Sequence, residues 1–154
     1  MAHHKDLTGT DLHEPKGAAS ASAGTVYVAD GAGSGAWTAL LAAQVALTVV
    51  VTDVSTAGDF YIGAPCAGTI DKIVGVLGAA ISGADSNVTF AINGVSIDGS
   101  AMVVTNSGSA AGDEYDNVPS GHNTVVAGDV IKVHTDGAST GTAAFTVTLL
   151  ITVA

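Results

Sequence analysis

The clearest pattern of hydrophobic and polar residues lies at the end of the chain, where the two classes alternate. Between Ala144 and Val153 apolar residues occupy every second position, and threonine occupies most of the others. This period of two is that of a β-strand, in which successive side chains point to opposite faces. The segment therefore predicts a strand with one buried face and one face rich in hydroxyl groups. The predicted buried face consists of Phe145, Val147, Leu149, Ile151 and Val153.

Similar short apolar segments recur from residue 47 onward. Glycines punctuate them at the spacing of roughly 8 to 12 residues that is typical of a β-sandwich or barrel. The predicted strands are Leu47–Val54, Asp59–Ile62, Thr69–Leu77, Asn87–Ile92, Val95–Ile97, Met102–Thr105, Val130–Thr135 and Ala144–Val153. The sequence therefore predicts an all-β fold built as an antiparallel β-sandwich.

Turn signals agree with this fold. Asn93 and Gly94 stand between two strand segments and predict a two-residue hairpin, since both central positions of a type I′ turn need a positive φ. Residues 127–129, Ala-Gly-Asp, predict a second turn before a strand. Helix signals are weak, and residues 39–45 offer two helical turns at most.

The first 38 residues differ from the rest. Residues 1–24 are polar and show no apolar period, which predicts an extended arm that is either disordered or laid along a partner. Residues 25–38 predict a small hairpin around a glycine-rich turn. Because a lone two-stranded ribbon is marginally stable, this hairpin should rest on the domain behind it or on a neighbouring chain. We therefore expect two parts, the arm and hairpin at 1–38 and the sandwich at 39–154.

Charge argues against one class of partner. The 154 residues include 4 lysines, no arginine and 14 acidic residues, which gives a formal net charge of -10. Nucleic-acid binding depends on neutralising phosphates, and arginine supplies the commonest specific contact to guanine. We therefore expect no nucleic-acid partner.

Membrane insertion is not expected either. The longest apolar stretch, residues 39–51, is interrupted by Gln44 and Thr48 and is shorter than the roughly 20 residues that span a bilayer. The polar residues 3–6 stand where the apolar core of a signal peptide would lie, which indicates synthesis in the cytoplasm. Cys66, the one cysteine, is interpreted as a small buried side chain.

Candidate chemistry is sparse. The acidic residues Asp113–Asn117 offer oxygen ligands for calcium, but their spacing is not that of an EF-hand, and a solvated acidic loop is the simpler interpretation. The five histidines lack zinc-site spacing. No acid pair, catalytic triad or metal motif stands out, so we expect no catalytic residue, no metal site, no cofactor and no enzymatic activity.

The amino-terminal residues resemble a known family. Residues 7–18, LTGTDLHEPKGA, followed by residues 25–37, TVYVADGAGSGAW, resemble the amino-terminal segment of surface proteins of tailed-bacteriophage virions. These proteins include head decoration (cement) proteins, head fibres and some tail-associated proteins. The run His-Glu-Pro-Lys-Gly at 13–17 has no generic structural explanation, which makes the resemblance fairly specific. The remainder of the chain looks like the jelly-roll domain that such proteins often carry.

The resemblance implies a non-enzymatic virion component, commonly a homotrimer, located on the outer surface of the head. Its expected partners are the major capsid protein and further copies of itself. The residues expected to contact the capsid are Leu7, Leu12, His13, Pro15, Tyr27 and Trp37.

The alternative is a head-fibre or tail-fibre module that binds a host receptor or glycan. Glycan sites use exposed aromatic platforms, and after Trp37 the chain has few aromatic residues. Phe90 and Phe145 are predicted to lie in the core because they alternate with polar residues. Tyr115 in the acidic segment is then the obvious platform, a narrow basis for a glycan site.

Overall fold

The computed structural model describes residues 21–32, 35–39 and 43–154. The chain divides into two compact units, Met1–Leu41 and Ala42–Ala154. The expected capsid contacts Leu7, Leu12, His13 and Pro15 lie outside the described residues.

The first unit contains the hairpin that the sequence predicts. Strand β1 (Thr25–Ala29) pairs with β2 (Gly35–Ala39) in antiparallel register, so that Thr25 lies opposite Ala39 and Ala29 opposite Gly35. The β-rich residues on both sides of a glycine-rich turn explain this local structure.

The second unit is a sandwich of two antiparallel sheets, which confirms the all-β prediction. One sheet has the order β10-β5-β12-β3, with β9 also pairing with β5. The other has the order β4-β11-β6-β7, with β8 also pairing with β6. The strands of the first sheet are β3 (Gln44–Val51), β5 (Gly68–Leu77), β9 (Glu114–Asn117), β10 (Thr124–Val125) and β12 (Phe145–Val153). The strands of the second sheet are β4 (Gly58–Gly63), β6 (Ser86–Ile92), β7 (Val95–Ser96), β8 (Met102–Val104) and β11 (Val130–Thr135).

The strand pairs are nested around one hairpin. The innermost pair, β6 with β7, is enclosed by β5 with β9 and β10, then by β4 with β11, and finally by β3 with β12. Two further pairings, β5 with β12 and β6 with β11, join these nested pairs into the two sheets. The first and last strands of the unit are therefore neighbours.

The core lies between the two sheets and is almost entirely aliphatic. On β12 the predicted alternation is confirmed from Phe145 to Ile151: Phe145, Val147, Leu149 and Ile151 are buried, and the intervening residues are partly exposed. Val153, also predicted to be buried, is partly exposed at the end of the strand. The largest fully buried side chains are Phe145, Ile70, Ile73, Leu77, Ile131, Leu149 and Ile151. Phe90 is also buried, as predicted.

The turn predictions hold in detail. Asn93 and Gly94 both have positive φ values, 48° and 85°, as the predicted type I′ turn requires. Gly128 also has a positive φ, and its N–H donates to the carbonyl of Ala64. These turns close the ends of strands whose register the sequence alone does not fix.

Two expectations are wrong. The acidic segment expected to be a loop contains strand β9, which pairs along β5 from Ile73 to Val76. The two helical turns considered for residues 39–45 are also absent where the structure describes this stretch, because Ala39 ends β2 and Gln44 begins β3. Strand β10 is a further two-residue strand that the sequence pattern does not reveal.

Candidate attachment surface

The hairpin brings together the two aromatic residues that the sequence singles out. Tyr27 and Trp37 lie directly opposite each other across β1 and β2. Their ring centroids are 5.5 Å apart with an interplanar angle of 65°. This is the edge-to-face arrangement that aromatic pairs prefer. Both residues are partly buried. This pair gives one face of the hairpin an aromatic character.

The opposite face of the hairpin is aliphatic and more exposed. Val26 and Val28 are 40% and 51% exposed to solvent, and they lie opposite Thr38 and Ala36 across the hairpin. Because side chains alternate along a strand, these residues point away from the Tyr27 and Trp37 rings. The hairpin therefore carries apolar side chains on both faces, although it has only two strands.

Local interactions define the ends of the hairpin. The Asp30 carboxylate accepts a hydrogen bond of 2.8 Å from the N–H of Ala32, and Gly31 adopts a positive φ of 76°. At the start of β2, a Cβ atom on Gly35 would lie 2.9 Å from the ring of Tyr27. Glycine at this position therefore lets the Tyr27 ring pack over the backbone.

A polar cluster lies on the outer face of the second sheet. Asp59 on β4 lies 2.7 Å from Nδ1 of His134 and 3.7 Å from Nζ of Lys132, both on β11. The Tyr61 hydroxyl donates to the other oxygen of Asp59 at 3.3 Å. The hydrogen bond from His134, with smaller effects of Lys132 and Tyr61, lowers the pKa of the Asp59 carboxyl. Tyr61 itself is 60% exposed, and alternation along β4 places it on this face.

Tyr115, the aromatic platform expected from the sequence, lies elsewhere. It is partly buried, packs against the hydrophobic core, and meets Phe145 edge to face at a centroid distance of 5.9 Å. The prediction that Tyr115 is an exposed platform is therefore wrong. Tyr61 is instead the exposed aromatic residue of the sandwich. The adjacent Phe60 and Tyr61 point to opposite sides of β4, and only the fold shows which of them faces outward.

Alternation along β9 places the acidic residues Glu114 and Asp116 together on its exposed side, away from Tyr115 and Asn117. Asp116 forms an ion pair of 2.7 Å with Lys72 on the neighbouring strand, and this hydrogen bond raises the pKa of Lys72. Asn117 donates instead to the carbonyl of Ala101. Within the described part of the chain, no group of three or more His, Cys, Asp or Glu side chains is arranged to hold a metal ion.

A hydroxyl network is buried at one end of the sandwich. Ser86 Oγ lies 2.6 Å from Ser139 Oγ and 3.2 Å from the carbonyl oxygen of Val54, which also accepts from Thr135 at 2.8 Å. Ser139 is in turn 2.8 Å from the hydroxyl of Ser55. These groups satisfy one another's hydrogen bonds and connect the loops at residues 54–55 and 139 to the ends of β6 and β11, which is a structural role.

Two small cavities open on the sandwich. One of about 250 Å³ is lined by neutral residues: Thr89, Phe90, Ser96, Ile97, Gly99, Ser100 and Ala101. The other, of about 450 Å³, is lined by Ile92, Val95, His122 and Thr124. His122 at its rim lies 2.7 Å from the carboxylate of Asp98. A histidine and carboxylate without an adjacent nucleophile do not define a reaction.

The comparisons with known proteins add no family. No protein-family model matches the sequence, and no curated protein shows significant similarity to it. Within the described residues, no helix is long and apolar enough to cross a membrane.

Proposed function

We propose that this chain is a bacteriophage capsid decoration protein, a non-enzymatic component that binds the outer surface of the head and stabilises the shell. In this proposal it acts as a homotrimer whose amino-terminal arm and hairpin contact the major capsid protein. The observation that carries the proposal is the hairpin of Thr25–Ala39, which has apolar side chains on both faces and only two strands.

The hairpin is suited to binding because it cannot bury its own apolar surface. Two-stranded ribbons are marginal in water unless a further layer covers them. Completing the burial of Val26 and Val28 would contribute about 1 kcal/mol each, half of the value for a fully buried aliphatic side chain. Three such hairpins on one trimer make the attachment multivalent, so that modest affinity per arm gives slow release of the whole trimer.

The sandwich supports the proposal through its charge and topology. The net charge of -10, counted over the whole chain, suits a protein that stands outside a DNA-filled particle without attracting nucleic acid. The nested pairs β3 with β12 and β4 with β11 agree with a jelly roll, in which one long antiparallel hairpin is folded into two sheets. We therefore propose the jelly-roll class for the sandwich, in agreement with the resemblance of the sequence.

Head binding tests the proposal. Heads assembled from the major capsid protein of the same phage are mixed with the full chain and pelleted, and bound chain is quantified. We expect Val26→Asp combined with Val28→Asp to reduce occupancy at least tenfold, because two charges would be placed in the contact. The matched control is Val118→Asp, which adds a charge at an exposed valine of the sandwich. Full occupancy by the hairpin variant would refute attachment through the hairpin.

A second candidate function is glycan binding by a fibre module, and the position of Tyr61 favours it. The exposed ring lies beside Asp59, Lys132 and His134, which combine an apolar platform with hydrogen-bonding groups. A glycan array with the wild type and Tyr61→Ala tests this candidate. Phage lacking the protein then separates the two functions: fragile heads favour decoration, and normal heads with lost host adsorption favour glycan binding.

A further inference from the structure

The outer face of the first sheet is neutral over three neighbouring strands. Residues that point away from the core on β3, β12 and β5 form cross-strand rows, with Val50 beside Thr146 and Thr146 beside Val76. We call this surface the neutral face. The residues that define it are Ala46, Val50, Val74, Val76, Thr148 and Leu150.

Exposure and charge set the neutral face apart. Val50 on β3 and Val76 on β5 are 49% and 40% exposed, and Thr146 of β12 lies between them, so the two valines belong to one cross-strand row. Charged side chains surround the neutral face: Asp71 of β5 accepts a hydrogen bond from Thr152 of β12, and Lys72, Glu114 and Asp116 border the neutral face along β5 and β9. The second sheet differs, because its outer face carries the cluster around Asp59.

Among the described strands of the sandwich, the one at the edge beside the neutral face carries none of the usual protecting features. Strand β3 is eight residues long, lies at the end of its sheet, and pairs with β12 alone among the described strands. Proteins normally protect such edges with lysine, proline, a bulge or a covering segment. The sequence of β3, QVALTVVV, contains no charge and no proline, and its pairing with β12 is regular. The edge and the neutral face form one continuous uncharged surface.

The charge of the chain indicates what covers this surface. Two copies that each carry a net charge of -10 repel one another unless they meet where neither copy is charged. A basic partner would bind at the border of the neutral face, where the carboxylates of Asp71, Glu114 and Asp116 lie, and not at its centre. We propose that the neutral face and the open edge of β3 are the surface through which copies of this chain contact one another. This inference rests on the homotrimer of the proposed function and assigns its interface.

Sedimentation velocity of the full chain at micromolar concentration tests the assignment. The wild type is expected at about three times the chain mass of 14.9 kDa. Val50→Asp combined with Val76→Asp is expected to sediment as a monomer, because the charges would face one another in the interface. Val103→Asp is the matched control: Val103 is 50% exposed on β8 of the other sheet, so this variant should remain a trimer.

Each outcome separates the two proposals. A wild-type monomer overturns self-association, and the pelleting assay still decides head binding independently. A wild-type trimer that the double variant leaves intact overturns the interface while preserving the trimer. A folded double variant that remains trimeric but no longer binds heads would assign the neutral face to the capsid instead.

Hydrogen exchange keeps the test decisive if the double variant fails to fold. In the wild type, amides on the open side of β3 should become protected as concentration rises from nanomolar to micromolar, whereas amides of β11 in the centre of the other sheet should not change. Equal exchange of β3 at both concentrations would overturn the assignment.

Discussion

Gly75 is the position where one added methyl group should disturb the core most directly. It lies in the middle of β5, opposite Val147 of β12 and Tyr115 of β9. A Cβ atom built at Gly75 would lie 2.6 Å from Cε1 of Phe145 and closer still to Cζ. Phe145 is fully buried and Tyr115 packs against it, so the ring has no free space into which to move.

The expected cost of Gly75→Ala follows from two opposing effects. Overpacking a core costs about 1–3 kcal/mol, and the confined ring puts this site near the upper end. Reduced freedom of the unfolded chain returns about 0.4–1 kcal/mol when glycine becomes alanine. The free energy of unfolding should therefore fall by about 2 kcal/mol, which lowers Tm by roughly 8 °C for a domain of this size.

Thermal and urea unfolding followed by far-ultraviolet circular dichroism measures this change, since this signal reports on the β-strands of the chain. Gly63→Ala is the control, because a Cβ atom there meets no atom within 4 Å. Phe145→Leu should cost less in the Gly75→Ala background than in the wild type, because the smaller side chain relieves the clash. Gly75→Ala unfolding at or above the wild-type temperature would refute the reasoning.

Three further predictions concern stability. Ser86→Ala should lower the free energy of unfolding in urea by about 1–3 kcal/mol because buried partners lose a hydrogen bond, whereas the exposed Ser96→Ala should have little effect. Asn93→Ala should cost about 1–3 kcal/mol in the same assay, because it removes hydrogen bonds to Asp129 and Val130 at a residue with positive φ. Stability should fall as pH drops below about 4, because the pKa of Asp59 is lowered in the folded state and its contribution is lost on protonation. Asp59→Asn should flatten this part of the profile in acid-unfolding curves, and an unchanged slope would contradict the assignment.

The fold was most predictable where the residues that form a sequence pattern also determine the local structure by themselves. The alternation of Phe145 to Val153 places one face in the core whatever the partner strands are. The Asn93–Gly94 turn follows from two residues that tolerate positive φ. Thr25–Ala29 and the glycines after it similarly specify a hairpin, and its register brings Tyr27 opposite Trp37.

Strand β9 could not be predicted because its pairing, and not its sequence, stabilises it. Three of its four residues are polar, and Tyr115 is its one apolar side chain. Its place is set by hydrogen bonding to β5 and by Tyr115 packing on Phe145, which lies 30 positions away in the sequence. The glycine at 75 shows the same limit: a strand glycine predicts close approach of some group, but only the tertiary structure identifies the Phe145 ring.

The candidate surfaces show the same limit of prediction from sequence alone. Composition indicates an acidic chain, but it cannot assign Val50 to the outside and Val51 to the core. One residue of register decides between these two positions, and long-range pairing with β12 fixes that register. Exposed Tyr61 and partly buried Phe60 are separated in the same way on β4. The sequence pattern thus predicts that side chains alternate between the two sides of a strand. The strand pairing determines which of the two sides faces the core.

The two sheets of the sandwich therefore suit different tasks. Assembly through the neutral face would bury Val50 and Val76 against other copies and leave the charged second sheet, with Asp59 and Lys132, in contact with water. The reverse arrangement would desolvate Asp59, Lys132 and His134 at a subunit contact, and burying such ion pairs costs free energy unless every charge is matched. In the proposed homotrimer, self-association would therefore use the sheet of β3, β12 and β5, and Tyr61 would remain exposed.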